Sequence, residues 1–347
     1  PLSPPLDTSI FCEKMYELFT IMDINPSTLN LSDPYTNNNI ETIKNILQPP
    51  PCHTPSNEIS IATQPGPHKT DNEDRISVIQ NPDILEITAI FICTDGVSLT
   101  PPKTPYEKNE NGIAASKCIN EKLNEYLKSA PFKDIFDSLT KKDTPKYERI
   151  SKFYQDVTEA IQKIAEAISP RNSSTTLELT FLIQYENKDY VFAFSWGDSC
   201  TFIYKNGLTI PLNKYYYTNF EQLDENYDIF FEKNFLKALI KSNSPSCPGD
   251  FINYYNREQQ KPSLTIFPVE KGNRIFVTTD GISDNLSRPC PKDPSKLLFN
   301  RKLFNKFIKF CDQHHIHDKD VARLLVHLCC LAPLKPDDAS TASYCVV

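Results

Sequence analysis

The pattern of apolar runs predicts an α+β protein in which antiparallel sheets carry helices layered on their outer sides. Three observations lead there. Apolar, β-branched runs such as EITAIFICTDG and IFVTTDG stop abruptly at Asp-Gly, as buried strands do when they deliver an aspartate to a loop. Stretches with a 3.6-residue beat come in adjacent pairs, one pair between 111 and 168 and another between 301 and 332. A block of strand-like pieces separates those pairs, which does not fit a regular β-α-β alternation.

Taken in order, IFCEKMYELFTIM and IETIKNIL are short amphipathic helix candidates. QPPPCHTP after them reads as a stiff linker, because proline fixes φ and removes donors. Residues 1–56 are therefore expected to form a helical and proline-rich extension, and 57–347 the main domain. In NGIAASKCINEKLNEYL, Ile113, Cys118, Ile119, Leu123, Tyr126 and Leu127 share one helical face. YERISKFYQDVTEAIQKIAEAI keeps Ile150, Phe153, Val157, Ile161, Ile164 and Ile168 in register, and Ser169-Pro170 ends it. TTLELTFLIQYENKDYVFAFSWGDSCTFIYKNG reads as three strands joined by turns. Residues 208–262, rich in Tyr, Phe, Asn and Pro, read as irregular. RKLFNKFIKFC and DKDVARLLVHLCCLA are the last helices, and STASYCVV the last strand. No repeat of solenoid length is present.

Composition narrows the functional classes. The 347 residues are 39% hydrophobic and 23% charged, enough for a sizeable core. The net charge of -7 comes without any basic block, which argues against nucleic-acid binding. No apolar run reaches the ~18 residues that a membrane helix needs. PLSPPLDTSIF has no basic region followed by an apolar stretch, so no signal peptide is expected. The eleven cysteines are odd in number and include no C-x-x-C, and Cys93, Cys200 and Cys345 lie in apolar runs. They read as small core residues in a reducing, cytoplasmic compartment, whether of the protein's own cell or of a host.

The chemistry lies in five acidic sites at strand ends or turns. These are Glu73-Asp74 in DNEDR, Asp95 in CTDG, Asp198 in WGDS, Asp280 with Asp284 in TTDGISDN, and Asp337-Asp338 in KPDD. Hard divalent cations such as Mg²⁺ and Mn²⁺ take oxygen ligands and keep several waters, so a few convergent carboxylates suffice. Two such ions can activate a water and neutralise a phosphoryl group. Any one of these sites alone reads as an ordinary turn. Five together, three of them capping apolar strands, argue for a metal centre.

In order, K-x-x-N-E-D, C-T-D-G, S-S-T-T before a strand, W-G-D-S, V-T-T-D-G-I-S-D-N and K-P-D-D-A-S resemble the motif series of the PP2C (metal-dependent PPM) phosphatases. The T-D-G-x-x-D-N and K-P-D-D forms are most similar to the subgroup of mitochondrial PP2C-like and sporulation phosphatases. The resemblance covers roughly 57–347. It implies an α-β-β-α sandwich of two antiparallel sheets flanked by helix pairs, with metals in a cleft at one end. It further implies hydrolysis of phosphoserine or phosphothreonine in proteins, with two or three Mn²⁺ or Mg²⁺ ions. Carried over residue by residue, Asp95 matches the bridging aspartate and Gly96 the glycine whose carbonyl is a ligand. Asp280 and Asp337 match the other ligands of the first metal, with Asp338 the second choice to Asp337. Glu73 and Asp74 match the pair serving the second metal through water, and Asp198 and Asp284 a weaker third site in some members. Segment 208–262 falls where the family carries its variable flap.

Two departures stand out. Lys69 sits where the family usually has a phosphate-binding arginine, giving a point charge in place of a bidentate fork. Asp95-Gly96 is followed by Val-Ser-Leu-Thr-Pro-Pro where many members have His-Gly-Gly, so no general acid is assigned. The expected partner is a phosphoprotein substrate, and a monomer is expected. A catalytically silent PP2C-like regulatory module and a small-molecule phosphatase stay open as alternatives. His314, His315 and His317 read as a solvated connection between helices, Tyr215, Tyr216 and Tyr217 as packing of the flap, and Cys329-Cys330 as core.

Overall fold

The computed structural model describes residues 13–48, 58–67, 69, 71–84, 86–98, 110–141, 143–171, 173–213, 252–253, 261–290, 293–331, 333 and 335–347. Two five-stranded antiparallel sheets lie face to face. The first has the order β1 (Ser60–Gln64), β15 (Ala339–Cys345), β12 (Arg274–Thr278), β8 (Cys200–Lys205), β9 (Leu208–Pro211). The second has the order β11 (Ser263–Val269), β7 (Lys188–Trp196), β6 (Leu177–Tyr185), β3 (Ile87–Thr94), β2 (Arg75–Gln80). A small sheet of β10 (Ile252–Asn253), β5 (Ser173–Thr175) and β4 (Gly96–Ser98) and a hairpin of β13 (Ser287–Cys290) and β14 (Asp293–Phe299) complete the strands described.

Helices cover both outer faces. On the second sheet lie α3 (Glu110–Tyr126), α4 (Ala130–Thr140) and α5 (Lys146–Ala165). On the first lie α7 (Arg301–Gln313) and α8 (Asp318–Leu331), with α1 (Glu13–Met22) and α2 (Pro34–Leu47) packed against them. A single turn, α6 (Asp280–Ser283), follows β12. Each sheet thus buries both faces, which is why the central strands read as continuous apolar runs without a period of two. On β6, Leu177, Leu179, Phe181 and Ile183 meet the helices while Leu182 points to the other sheet. On β12, Phe276 meets the helices and Ile275 and Val277 face inward. Phe153 of α5 stacks edge-on with Phe136, Phe181, Phe192 and Phe194, an aromatic cluster that fixes the helix on the sheet.

The α-β-β-α layering implied by the resemblance is present, and it differs from the element reading in places. Helix α4 has no counterpart in that reading. Its Phe132, Phe136 and Leu139 are buried at helical spacing, and Pro131 sits in its first turn, where a missing N–H is harmless. Segment 208–262 begins with strand, not irregular chain: Asn206 (φ 53°) and Gly207 (φ 81°) make a tight turn that pairs β9 with β8. The rest of the expected flap, except 212–213, 252–253 and 261–262, lies outside the described residues, as do the tyrosine run and linker residues 49–55. Helix α2 starts earlier than its apolar run because Asp33 caps it, accepting from the Thr36 backbone N–H at 3.0 Å, and Pro34 follows. Residues 13–48 share a core with α7 and α8, where Met15, Leu18, Phe19, Ile40 and Ile43 are buried. Cys93, Cys118, Cys200, Cys311, Cys329, Cys330 and Cys345 are free thiols, of which Cys118 and Cys345 are only partly buried. No helix described is long and apolar enough to cross a membrane.

Candidate metal centre

Strand register brings the acidic loops to one end of the sandwich. In the second sheet Arg75 pairs with Thr94, Cys93 with Glu178, and Leu177 with Trp196. The start of β2, the end of β3, the start of β6 and the end of β7 are therefore level. In the first sheet Thr278 pairs with both Thr341 and Cys200, which levels the end of β12 with the starts of β15 and β8. Glu73-Asp74, Asp95, Asp198, Asp280 with Asp284, and Asp337-Asp338 all sit in the loops at that end.

Backbone and hydroxyl donors hold these loops together. Thr279 Oγ1 donates to Asp74 Oδ2 at 2.7 Å and accepts from the Ser340 N–H, tying the two sheets at the site. The Asp95 carbonyl accepts from Thr175 Oγ1 at 2.8 Å and from the Thr176 N–H at 2.9 Å, so the S-S-T-T segment anchors the end of β3. Asp338 is buried and accepts from the N–H groups of Gly66 (2.8 Å) and Glu73 (2.6 Å). It is a bracket between the loop before β15 and the loop before β2. Gly281 is required by close approach: a Cβ there would lie 1.7 Å from the Asp338 carbonyl oxygen. Gly96 is required likewise, since a Cβ would lie 2.4 Å from the Gly112 carbonyl of α3.

Two ammonium groups reach into the cluster. Lys335 Nζ lies 2.5 Å from Asp280, 3.2 Å from Asp284 and 3.1 Å from Asp337. Lys69 Nζ lies 2.8 Å from Asp337, 3.4 Å from Asp338 and 3.5 Å from Glu73. Electrostatics follows from this crowding. Burial, then Asp338, pushes the Asp74 carboxyl well above the usual carboxylate range. Burial, then Asp280 and Asp74, does the same to Asp95. Burial and Asp280 push Asp198 up to about 8 and Asp284 up to about 6. Glu73 rises to about 6, chiefly through burial against the opposing pull of Lys69. Asp337 is the exception: burial acts upward, but Lys69 and Lys335 together hold it below its ordinary value.

The donor set suits hard divalent cations: every converging side chain offers oxygen, and eight carboxylates face only two ammonium groups among the described residues. Glu73 Oε1 is buried without a partner, an acceptor that a cation or its water would satisfy. As the side chains stand, no described group of three acidic, histidine or cysteine residues is arranged to hold a metal ion. The ammonium groups lie between the carboxylates instead.

The structure thus brings together Glu73, Asp74, Asp95, Asp198, Asp280, Asp284 and Asp337, with Gly96 beside them. Lys69 is in the same cluster, bound to carboxylates. Sequence reasoning missed Lys335, Thr279 and the bracketing role of Asp338. Lys335 lies within the K-P-D-D string itself, and its signal was a lysine two residues before a ligand-type aspartate.

The fold is also found in solved structures. A variant of a bacterial serine phosphatase aligns with 84% of this chain and 98% of its own at a TM-score of 0.50 and 11% identity. The α+β sandwich is that of the PP2C-like phosphatases. The serine/threonine phosphatase PstP/Ppp of Mycobacterium tuberculosis covers 83% of this chain and 98% of its own, with 15% identity and a TM-score of 0.48. The serine/threonine phosphatase of S. agalactiae covers 84% and 99%, with 18% identity and a TM-score of 0.48. No family model and no curated protein matches the sequence.

Proposed function

We propose that this chain is a metal-dependent phosphatase that hydrolyses phosphoserine and phosphothreonine in proteins. One observation carries the reading: five loops from two sheets bring eight carboxylates to one end of the sandwich, offset by two ammonium groups among the described residues. Such an excess of buried acid calls for bound cations. We assign Asp280 and Asp337 to the first of two Mn²⁺ or Mg²⁺ ions, Asp95 to both, the Gly96 carbonyl as a further ligand, and Glu73 and Asp74 to the second ion, largely through water. Asp198 and Asp284, with Asp280, are assigned to a weaker third position. Bound there, the ions would supply Lewis acidity and neutralise charge at a phosphoryl group.

The chain's own residues supply orientation and access. Asp74 and Asp338 are buried and fixed by Thr279 and by backbone N–H groups. Glu73, Asp95, Asp198, Asp284, Asp337, Lys69 and Lys335 are partly open to solvent while Asp74, Asp280 and Asp338 are buried, so a phosphoryl group would meet the cluster on the side of the former. Lys69 is assigned to that phosphoryl group as a point charge, free to turn from Asp337 to the substrate.

The test is phosphate release from a panel of phosphopeptides with Mn²⁺ against the same panel with chelator, using p-nitrophenyl phosphate as the small-molecule control. Asp95→Asn should abolish metal-dependent release while circular dichroism stays that of the wild type. Near-wild-type turnover by that variant removes Asp95 from its role. No metal-dependent release from any substrate would leave the silent binding module as the reading.

A further inference from the structure

Lys335 occupies a cation hole made by three segments. Its ammonium meets carboxylate oxygens of Asp280 at the start of α6, Asp284 just after α6, and Asp337 before β15, all within 3.2 Å. The stem is held at its base. Asn285 Oδ1 accepts from the Lys335 N–H at 3.1 Å, and Asn285 Nδ2 donates to the Lys335 carbonyl at 3.2 Å. Asn285 Nδ2 also donates to the Gly281 carbonyl at 2.6 Å, so the backbone that carries Lys335 is fastened to α6 itself. The side chain is nonetheless 40% exposed, so the ammonium reaches in from the rim and can leave without disturbing the core.

We propose that Lys335 is a resident counter-ion that holds Asp280, Asp284 and Asp337 together until a divalent cation displaces it. The inference rests on the metal-dependent reading above and names one competitor for the same oxygens. The physical basis is charge and geometry. An ammonium brings a single positive charge and three donors on a flexible stem, and a divalent ion brings twice the charge to the same carboxylates. In the structure the two ammonium groups lie between the acids, on the oxygens a metal would need. Metal loading then requires a side-chain exchange, and apparent affinity is the intrinsic affinity multiplied by the fraction of molecules in which the ammonium is out. Lys69 belongs to a different trio, with Glu73, Asp337 and Asp338, and shares only Asp337.

Two measurements on the full-length chain without substrate test this. In titration calorimetry, Lys335→Met should bind Mn²⁺ at least tenfold more tightly than wild type, as expected if the ammonium is seated nine-tenths of the time. Its metal-free form should melt at lower temperature than the wild type, and the gap should close when Mn²⁺ is added. Equal or weaker Mn²⁺ binding by the variant overturns the proposal. The second measurement uses the wild type and does not depend on the variant folding. Lys335 should be acetylated slowly in chelator and several-fold faster with saturating Mg²⁺, read by mass spectrometry at that residue. Unchanged or slower labelling with Mg²⁺ also overturns it. Neither readout uses turnover, so an inactive chain that still exchanges Lys335 for metal would refute the catalytic reading alone.

Discussion

Glu178 lies between the two sheets, wholly buried, in a largely apolar strand, and its titration should be visible in the stability of the whole protein. Its Oε1 accepts from Thr201 Oγ1 of the facing sheet at 2.6 Å, and Thr201 also meets Thr180 at 2.6 Å. Ser195, directly opposite on β7, is a further hydrogen-bonding neighbour of the same carboxyl. Burial pushes the Glu178 carboxyl up to about 8, so at neutral pH the folded protein keeps it protonated. The unfolded chain ionises it near 4.5. Between those values the folded state binds one more proton than the unfolded state, so stability falls as pH rises, by ~1.4 kcal/mol per unit, and levels off above about 8. Glu178→Gln removes the titration and keeps the shape. Relative to wild type, the variant should therefore gain ~4 kcal/mol between pH 5 and pH 8. Urea unfolding at pH 5.5, 7 and 8.5, followed by fluorescence of the single tryptophan, Trp196, reads this difference directly. Both proteins carry the same metal-site acids, so their titration cancels in the comparison. A stability difference that stays flat across that range would show that Glu178 does not hold a buried proton.

Three further outcomes are expected. Gly281→Ala should destabilise the protein by several kcal/mol, because its Cβ would meet the Asp338 carbonyl and the turn carrying Asp280 would have to move; thermal melts and Mn²⁺ titration should both show the loss. Lys69→Ala should raise KM for a phosphopeptide by the equivalent of ~1–3 kcal/mol with a smaller change in kcat, the scale of a charge-assisted hydrogen bond; an unchanged KM would place Lys69 away from the phosphate. Mn²⁺ affinity should tighten as pH rises from about 6 to about 8, because Glu73 and Asp284 near 6 and Asp198 near 8 must lose protons to serve a cation. Calorimetry in buffers of different ionisation enthalpy would count the protons released, and a release of none would contradict the ligand set.

Strand and helix identity was largely a local matter. The runs at 87–94 and 274–278 are strands because both of their faces are buried, so nearly every residue is apolar or β-branched. The α5 beat is a helix because one face meets the second sheet. The acidic sites were legible for a related reason: an aspartate directly after a buried apolar strand has few uses inside a core, and its position in the chain marks the strand's end. Helix α4 and strand β9 were obscured where turn chemistry outweighs periodicity, at Pro131 in a first turn and at the Asn206-Gly207 turn.

What the sequence by itself determined is the set of carboxylates and the order of strands that carry them. Only the tertiary structure decided which charges meet. Lys335 and Asp280 are 55 residues apart, and Lys69 and Asp337 are 268 apart, so no local pattern could pair them. Their meeting depends on antiparallel register, which levels one end of each sheet, and on Thr279, Asn285 and Asp338, which pin the loops across the gap. Glu178 follows the same rule. Alternation along β6 aims it inward, but its burial against Thr201 exists only because the second sheet is packed on the first. Periodicity records the environment of a residue along its own chain; an ion pair or a buried proton depends on which other chain segment comes to lie beside it.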